Sequence, residues 1–105
     1  MYIYNITINI ADEVADKWLF WMRKTYIPKV LSKGKFDKAK LIQVLVNEEM
    51  GGKTYSVQFF VSTKAKLAAH YKEDATALRN EMMQLFPNQF VEFSTELALI
   101  ETFTN

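Results

Sequence analysis

Apolar periodicity along this chain alternates between steps of two and steps of three or four, in the order β-α-β-β-α-β. Few compact arrangements satisfy that order. The simplest is one α+β sandwich, in which a four-stranded antiparallel sheet carries both helices on one face. Such a frame hosts enzymes, binding modules and subunits without chemistry, so the order constrains architecture and leaves activity open.

Residues 2 to 10 place Tyr4, Ile6, Ile8 and Ile10 on one face of a strand and Ile3, Asn5, Thr7 and Asn9 on the other. A helix follows from about Asp12, its N-cap or close to it, with Glu13 and Asp16 in the first turn and a stripe of Val14, Trp18, Trp21, Met22 and Thr25. Pro28 predicts a break near Tyr26 and Ile27, then a short turn carrying Val30 and Leu31, with Gly34 as the stop. The second strand, about 38 to 48, alternates Ile42, Val44 and Val46 against Leu41, Gln43 and Leu45. Met50-Gly51-Gly52 predicts a tight hairpin into a third strand, with Tyr55, Val57, Phe59 and Val61 opposite Thr54, Ser56, Gln58 and Phe60. Thr63 caps a second helix with a stripe of Leu67, Tyr71, Ala75, Leu78, Met82 and Leu85, ended by Phe86-Pro87. The last strand, about 90 to 102, sets Val91, Phe93, Leu97 and Leu99 against Glu92, Ser94, Glu96 and Ala98.

No linker or repeat interrupts this order, so residues 1 to 105 form a single domain. Half the residues are apolar, enough for a core that buries roughly two-thirds of the unfolded surface. Thirteen Lys and Arg against twelve Asp and Glu, with no basic face, argue against a nucleic-acid partner. The absence of cysteine excludes a disulfide framework, a thiolate zinc site and a cysteine nucleophile, and a cytoplasmic location is expected. The opening MYIYNITINI lacks a basic n-region and alternates like a strand, and no apolar run approaches the roughly 18 residues of a membrane span.

With the helices over the uniformly apolar faces, the mixed faces point the other way. They would present Ile3, Leu41, Leu45, Phe60, Ala98 and Ile100 among Asn5, Thr7, Asn9, Gln43, Ser56, Gln58, Glu92, Ser94 and Glu96. That surface is too apolar for water, so a twin subunit is expected to close over it, and two facing sheets would enclose a cavity. The interspersed polar groups either line a ligand pocket there or satisfy an interface.

Over nearly its whole length the chain resembles the dimeric α/β-barrel group, in which two ferredoxin-like subunits pack sheet to sheet. More narrowly, IYNITINI, WLFWMRKTYIPKVLSKGKF, LVNEEMGGKTYSVQ and FVEFSTEL resemble a small family of domains with no assigned function. The resemblance implies a ferredoxin-like homodimer without implying a reaction. Enzymes of the wider group carry a His-x-Pro motif at the end of the first helix, and Tyr26-Ile27-Pro28 stands at the matching place, with tyrosine for histidine. Haem-degrading members pair an asparagine on the first strand with a histidine on the second helix and a nearby tryptophan. Asn5 and His70 match the first two, and Phe60 stands for the third.

The candidate ligand-binding residues are therefore Asn5, Thr7, Trp21, Tyr26, Gln43, Ser56, Gln58, Phe60 and His70, with His70 and Asn5 the candidates for catalysis. His70, with Asp74 one turn on, also suits a half-exposed surface pair. Glu92 and Glu96 could act as paired carboxylates and Glu48 and Glu49 could contact a cation, but a solvated strand edge and an acidic hairpin tip account for them better. No metal site is expected, and no cofactor beyond the haem that the resemblance raises. No phosphate loop, dinucleotide fingerprint, nucleophile elbow or zinc-protease helix is present. Leu19 and Phe20 leave the first helix apolar all round, so one of them should meet a partner. Three readings stay open: a homodimer binding a small apolar molecule between its sheets, a cofactor-free or haem-degrading mono-oxygenase, and a docking module that uses the first helix.

Overall fold

β1 (Tyr2–Ile10) realises its alternation strictly, with Tyr4, Ile6, Ile8 and Ile10 buried and the residues between them half-buried. The computed structural model describes residues 1–46 and 51–105. Glu48, Glu49 and Met50, expected in the hairpin, lie outside the described residues. β2 (Lys38–Val44), β3 (Lys53–Val61) and β4 (Phe90–Ala98) join β1 in the order β2-β3-β1-β4, with every neighbouring pair antiparallel. The architecture is the expected ferredoxin-like α+β sheet with its helices on one face.

Register reverses two of the expected faces. Leu41 stands opposite Val57 and Gln43 opposite Tyr55, so these β2 residues point toward the helices, while Ile42 and Val44 point away. On β4, Glu92, Ser94 and Glu96 stand beside Ile8, Ile6 and Tyr4 on the helix side. Val91, Phe93 and Leu97 are turned to the open face, where they are 70%, 64% and 40% exposed. Both are edge strands with apolar residues on both faces, and a shift of one residue exchanges those faces completely. β4 also ends at Ala98 rather than near Thr102, the Leu99 amide donating to the Met1 carbonyl at 3.0 Å.

The first helical layer is continuous: a 3₁₀ turn (Asp12–Val14), α1 (Ala15–Trp21), a π turn (Met22–Tyr26) and α2 (Ile27–Ser32). Ala15, Trp18, Met22, Tyr26 and Val30 are buried. The break expected at Tyr26 and Ile27 is replaced by widening, in which the Ile27 amide donates to the Met22 carbonyl five residues back. Pro28, with no N–H to offer, sits in the first turn of α2, where none is required. Asp12 caps nothing with its side chain and accepts instead from the Gly52 amide at 3.1 Å.

The second layer is two helices, α3 (Lys64–Glu73) and α4 (Ala75–Leu85), separated at Asp74. Thr63 Oγ1 accepts from the Lys66 amide at 3.2 Å, the expected N-cap. The buried line is Leu67, His70, Leu78 and Met82, continued by Phe86, while Tyr71 and Leu85 are exposed. A step of three from Leu67 puts His70 on the stripe that Tyr71 was expected to occupy. His70 is thus 4% exposed rather than half-exposed on the surface.

Candidate functional site

Where α3 and α4 cross β1 and β4, the helices stand off the sheet and leave a cavity of about 280 Å³. Tyr4 and Ile6 form its floor, Tyr26 enters from the π turn, His70 and Tyr71 from α3, Arg79 and Met82 from α4, and Glu92 and Ser94 from β4. The local sequence explains the gap. Ala75 and Thr76 are small where α4 begins, and the helical run is interrupted just before them at Asp74, whose φ of −123° leaves the helical region.

An aromatic cage holds His70. The rings of Tyr4, Phe36 and Tyr71 lie with centroids 5.3, 4.9 and 6.0 Å from the imidazole. Asp74 does not pair with it, because its carboxylate accepts from Lys35 Nζ at 2.6 Å. Burial holds the imidazole below the usual histidine range, with Asp74 opposing and Lys35 adding to the effect. Burial, with Tyr4 and Glu92 adding, pushes the Tyr26 hydroxyl well above the ordinary tyrosine value, so it remains protonated. Tyr4 is raised by burial against the pull of Ser94, and Tyr71 by burial and by Glu96, whose carboxylate accepts its hydroxyl proton at 2.8 Å. Glu92 is raised by burial although Arg79 Nε donates to it at 3.0 Å.

Tyr26 and His70 are 6% and 4% exposed, line the cavity, and have no hydrogen-bond partner among the described residues. Among the described residues the buried side-chain polar atom left unpaired is Trp18 Nε1, so the Tyr26 hydroxyl and the His70 imidazole are not sealed in but open onto the cavity, where a guest can meet both.

Of the residues expected at a site, Tyr26 and His70 meet here, and Trp21 packs behind Tyr26 and against Phe86 at 5.2 and 5.7 Å. Asn5 does not join His70, because it lies on the opposite face of the sheet from Tyr4, which touches the imidazole. There Ser56 Oγ donates to Asn5 Oδ1 and Asn5 Nδ2 to Thr7 Oγ1, with Gln58 and Phe60 nearby on β3. Phe60 is covered by Lys38 and Lys40, whose ammonium groups lie 4.7 and 5.5 Å from the ring centre. Gln43 lies in a separate open groove with Leu19, Ile27, Leu31 and Leu41. Glu92 and Glu96 do not work as a pair, since each has its own partner. Sequence reasoning missed Tyr4, Tyr71, Glu92 and Ser94 as cavity residues, and the register of β4 is the signal that would have found the last two.

The cavity is at the small end of ligand pockets, which span roughly 300–1,000 Å³, and the imidazole is boxed by three rings. Among the described residues no cluster of His, Asp and Glu could hold a metal ion, and no helix is long and apolar enough to cross a membrane.

The family model for DUF4286, a domain of unknown function, matches residues 1–100. The chain belongs to that family. No curated protein sequence matches it. Two solved structures described as dimeric ferredoxin-like proteins from an uncultured marine organism superpose with TM-scores of 0.72 and 0.70 at 15% and 14% identity. The first alignment covers 96% of this chain and 97% of the other, and the second covers 100% of both. An antibiotic biosynthesis monooxygenase superposes with a TM-score of 0.66 at 13% identity, over 96% of this chain and 100% of its own. At these identities the likeness establishes the ferredoxin-like fold.

Proposed function

We propose that this DUF4286 domain is a cytoplasmic homodimer in which each protomer binds one small, largely apolar molecule in the cavity beneath α3 and α4. The observation that carries the reading is the convergence of two polar groups without a hydrogen-bond partner among the described residues, the Tyr26 hydroxyl and the His70 imidazole, on a cavity walled by Ile6, Met82 and aromatic rings. The ligand is thus placed on the helix side of the sheet rather than between two sheets. The dimer is supported by the dimeric neighbours and by the exposed Val91, Phe93 and Leu97 on the open face, a surface that isolated subunits rarely keep bare.

NMR titration with indole and 2-naphthol tests the site. Shifts should centre on residues 4, 26, 70 and 92–94 and disappear in Ala75→Phe, which fills the cavity. Shifts centred on residues 5, 7 and 56 would move the ligand to the open face and refute the placement.

A second reading, a cofactor-free mono-oxygenase, draws on Glu92. A half-buried carboxylate beside Tyr4 and Ser94 could accept a proton from an acidic C–H of a bound substrate before dioxygen reacts. Substrate-dependent oxygen uptake that is lost in Glu92→Gln would support it.

A further inference from the structure

The charge inventory around the cavity goes beyond its shape. Arg79 is the only Lys or Arg lining it, and its Nε is committed to Glu92. Lys35, the cation nearest His70, is committed to Asp74 at 2.6 Å. Glu92 is itself in the wall, and Glu96 stands just beyond, holding the Tyr71 hydroxyl. An anionic guest would find the one lining guanidinium already shared with Glu92, only its outer and largely exposed N–H groups left over, and at least one carboxylate, while a cationic guest would have to compete with Arg79 for Glu92. Either charge would lose its hydration without a counterion. The group left over is the Tyr26 hydroxyl, a donor that opens onto the cavity without an acceptor among the described residues. Its raised proton affinity keeps it a donor at neutral pH. The imidazole of His70, neutral because it is buried, can supply a second N–H.

We infer that the cavity selects an uncharged molecule bearing a carbonyl-type acceptor, which accepts a hydrogen bond from the Tyr26 hydroxyl. This rests on the ligand-binding reading above and specifies its chemistry. A single neutral hydrogen bond contributes about 0.5–1.5 kcal/mol, so removing it should cost up to about tenfold in affinity.

Four probes of one shape test it by NMR titration at pH 7: acetophenone, benzoate, benzamidine and α-methylstyrene, the last lacking only the acceptor oxygen. Acetophenone should bind the wild type at least several-fold more tightly than α-methylstyrene and tenfold more tightly than either ion. In Tyr26→Phe the acetophenone advantage should vanish, with α-methylstyrene affinity unchanged, which a general loss of packing would not produce. Benzoate or benzamidine binding as tightly as acetophenone would overturn the charge selection while leaving the cavity as a ligand site. Equal affinities of acetophenone and α-methylstyrene in the wild type would overturn the acceptor. Binding of none of the four, nor of indole or 2-naphthol, would overturn the ligand reading and this inference with it.

Discussion

Acidification should weaken the fold through one side chain. His70 is the only histidine in the chain, so a stability change centred between pH 5 and 7 has few other sources. Its imidazole is 4% exposed and packed against Tyr4, Phe36 and Tyr71, and burial lowers its affinity for a proton. In the unfolded chain it protonates near pH 6.5, and in the folded chain only at a lower pH. Between those values the unfolded state binds more protons, so stability is whole above about pH 6.5 and falls as the pH drops below it. One proton limits the slope to about 1.4 kcal/mol per pH unit, and the loss levels off once the folded imidazole itself protonates. Even an imidazole that never protonated in the folded chain would cost no more than about 2 kcal/mol between pH 7 and pH 5, which bounds the loss from above.

Urea midpoints for wild type and His70→Phe, at pH 8, 7, 6 and 5, measure it. The wild type should lose stability across the last two steps, and His70→Phe, whose ring suits the aromatic cage, should stay nearly flat. Glu92 works in the opposite direction, because its folded carboxyl holds a proton more tightly than the unfolded one, and acid relieves that cost. Glu92→Gln separates the two. Direct NMR titration of the lone imidazole supplies an independent readout. A folded value at or above 6.5, or identical pH slopes in wild type and His70→Phe, would refute the reasoning.

Three further outcomes are expected. Gly52→Ala should destabilise by about 1–3 kcal/mol in chemical denaturation, because φ is +82° there and an added Cβ would come within 2.6 Å of Asn9 Oδ1 and 2.9 Å of the Ile10 carbonyl. Leu97→Lys, on the open face and outside the cavity, should give a light-scattering mass of one chain where the wild type gives two, and a wild-type mass of one chain would sink the dimer. Haem added to the protein should give no Soret band that depends on His70, and a band abolished by His70→Ala would show that the aromatic cage opens far more than its packing suggests.

The parts of the fold legible in the sequence were those where one periodicity dominates. β1 alternates without exception, the apolar set of β3 pairs with it, and Thr63 marks a helix start, so sheet composition and helix placement followed directly. Legibility failed where both faces of a segment were plausible. In β2 apolar residues occur at odd and even positions alike, and in β4 the apolar set of Val91, Phe93 and Leu97 reads as the inward one, yet pairing with the interior strand turns it outward. In the second helix Tyr71 and His70 compete for the same stripe. The larger apolar ring looked the better core residue, yet the aromatic cage takes the histidine and leaves Tyr71 to reach Glu96. Tyr26 stood out from its place before Pro28 and lines the cavity, whereas the π turn that carries it was not legible.

The register of β4 ties the two halves of the proposed function together. Placing Glu92, Ser94 and Glu96 under the helices gives the cavity its polar end, but an acid buried there requires a partner, which Arg79 and Tyr71 provide. The same register necessarily turns Val91, Phe93 and Leu97 outward, because successive residues of a strand face opposite sides. A strand slipped by one residue would turn those three toward the helices and Glu92, Ser94 and Glu96 to the open face, leaving no polar wall for the cavity. The apolar surface that calls for a second copy is therefore the other side of the strand that equips the site, and cavity chemistry and self-association arise from one choice of pairing.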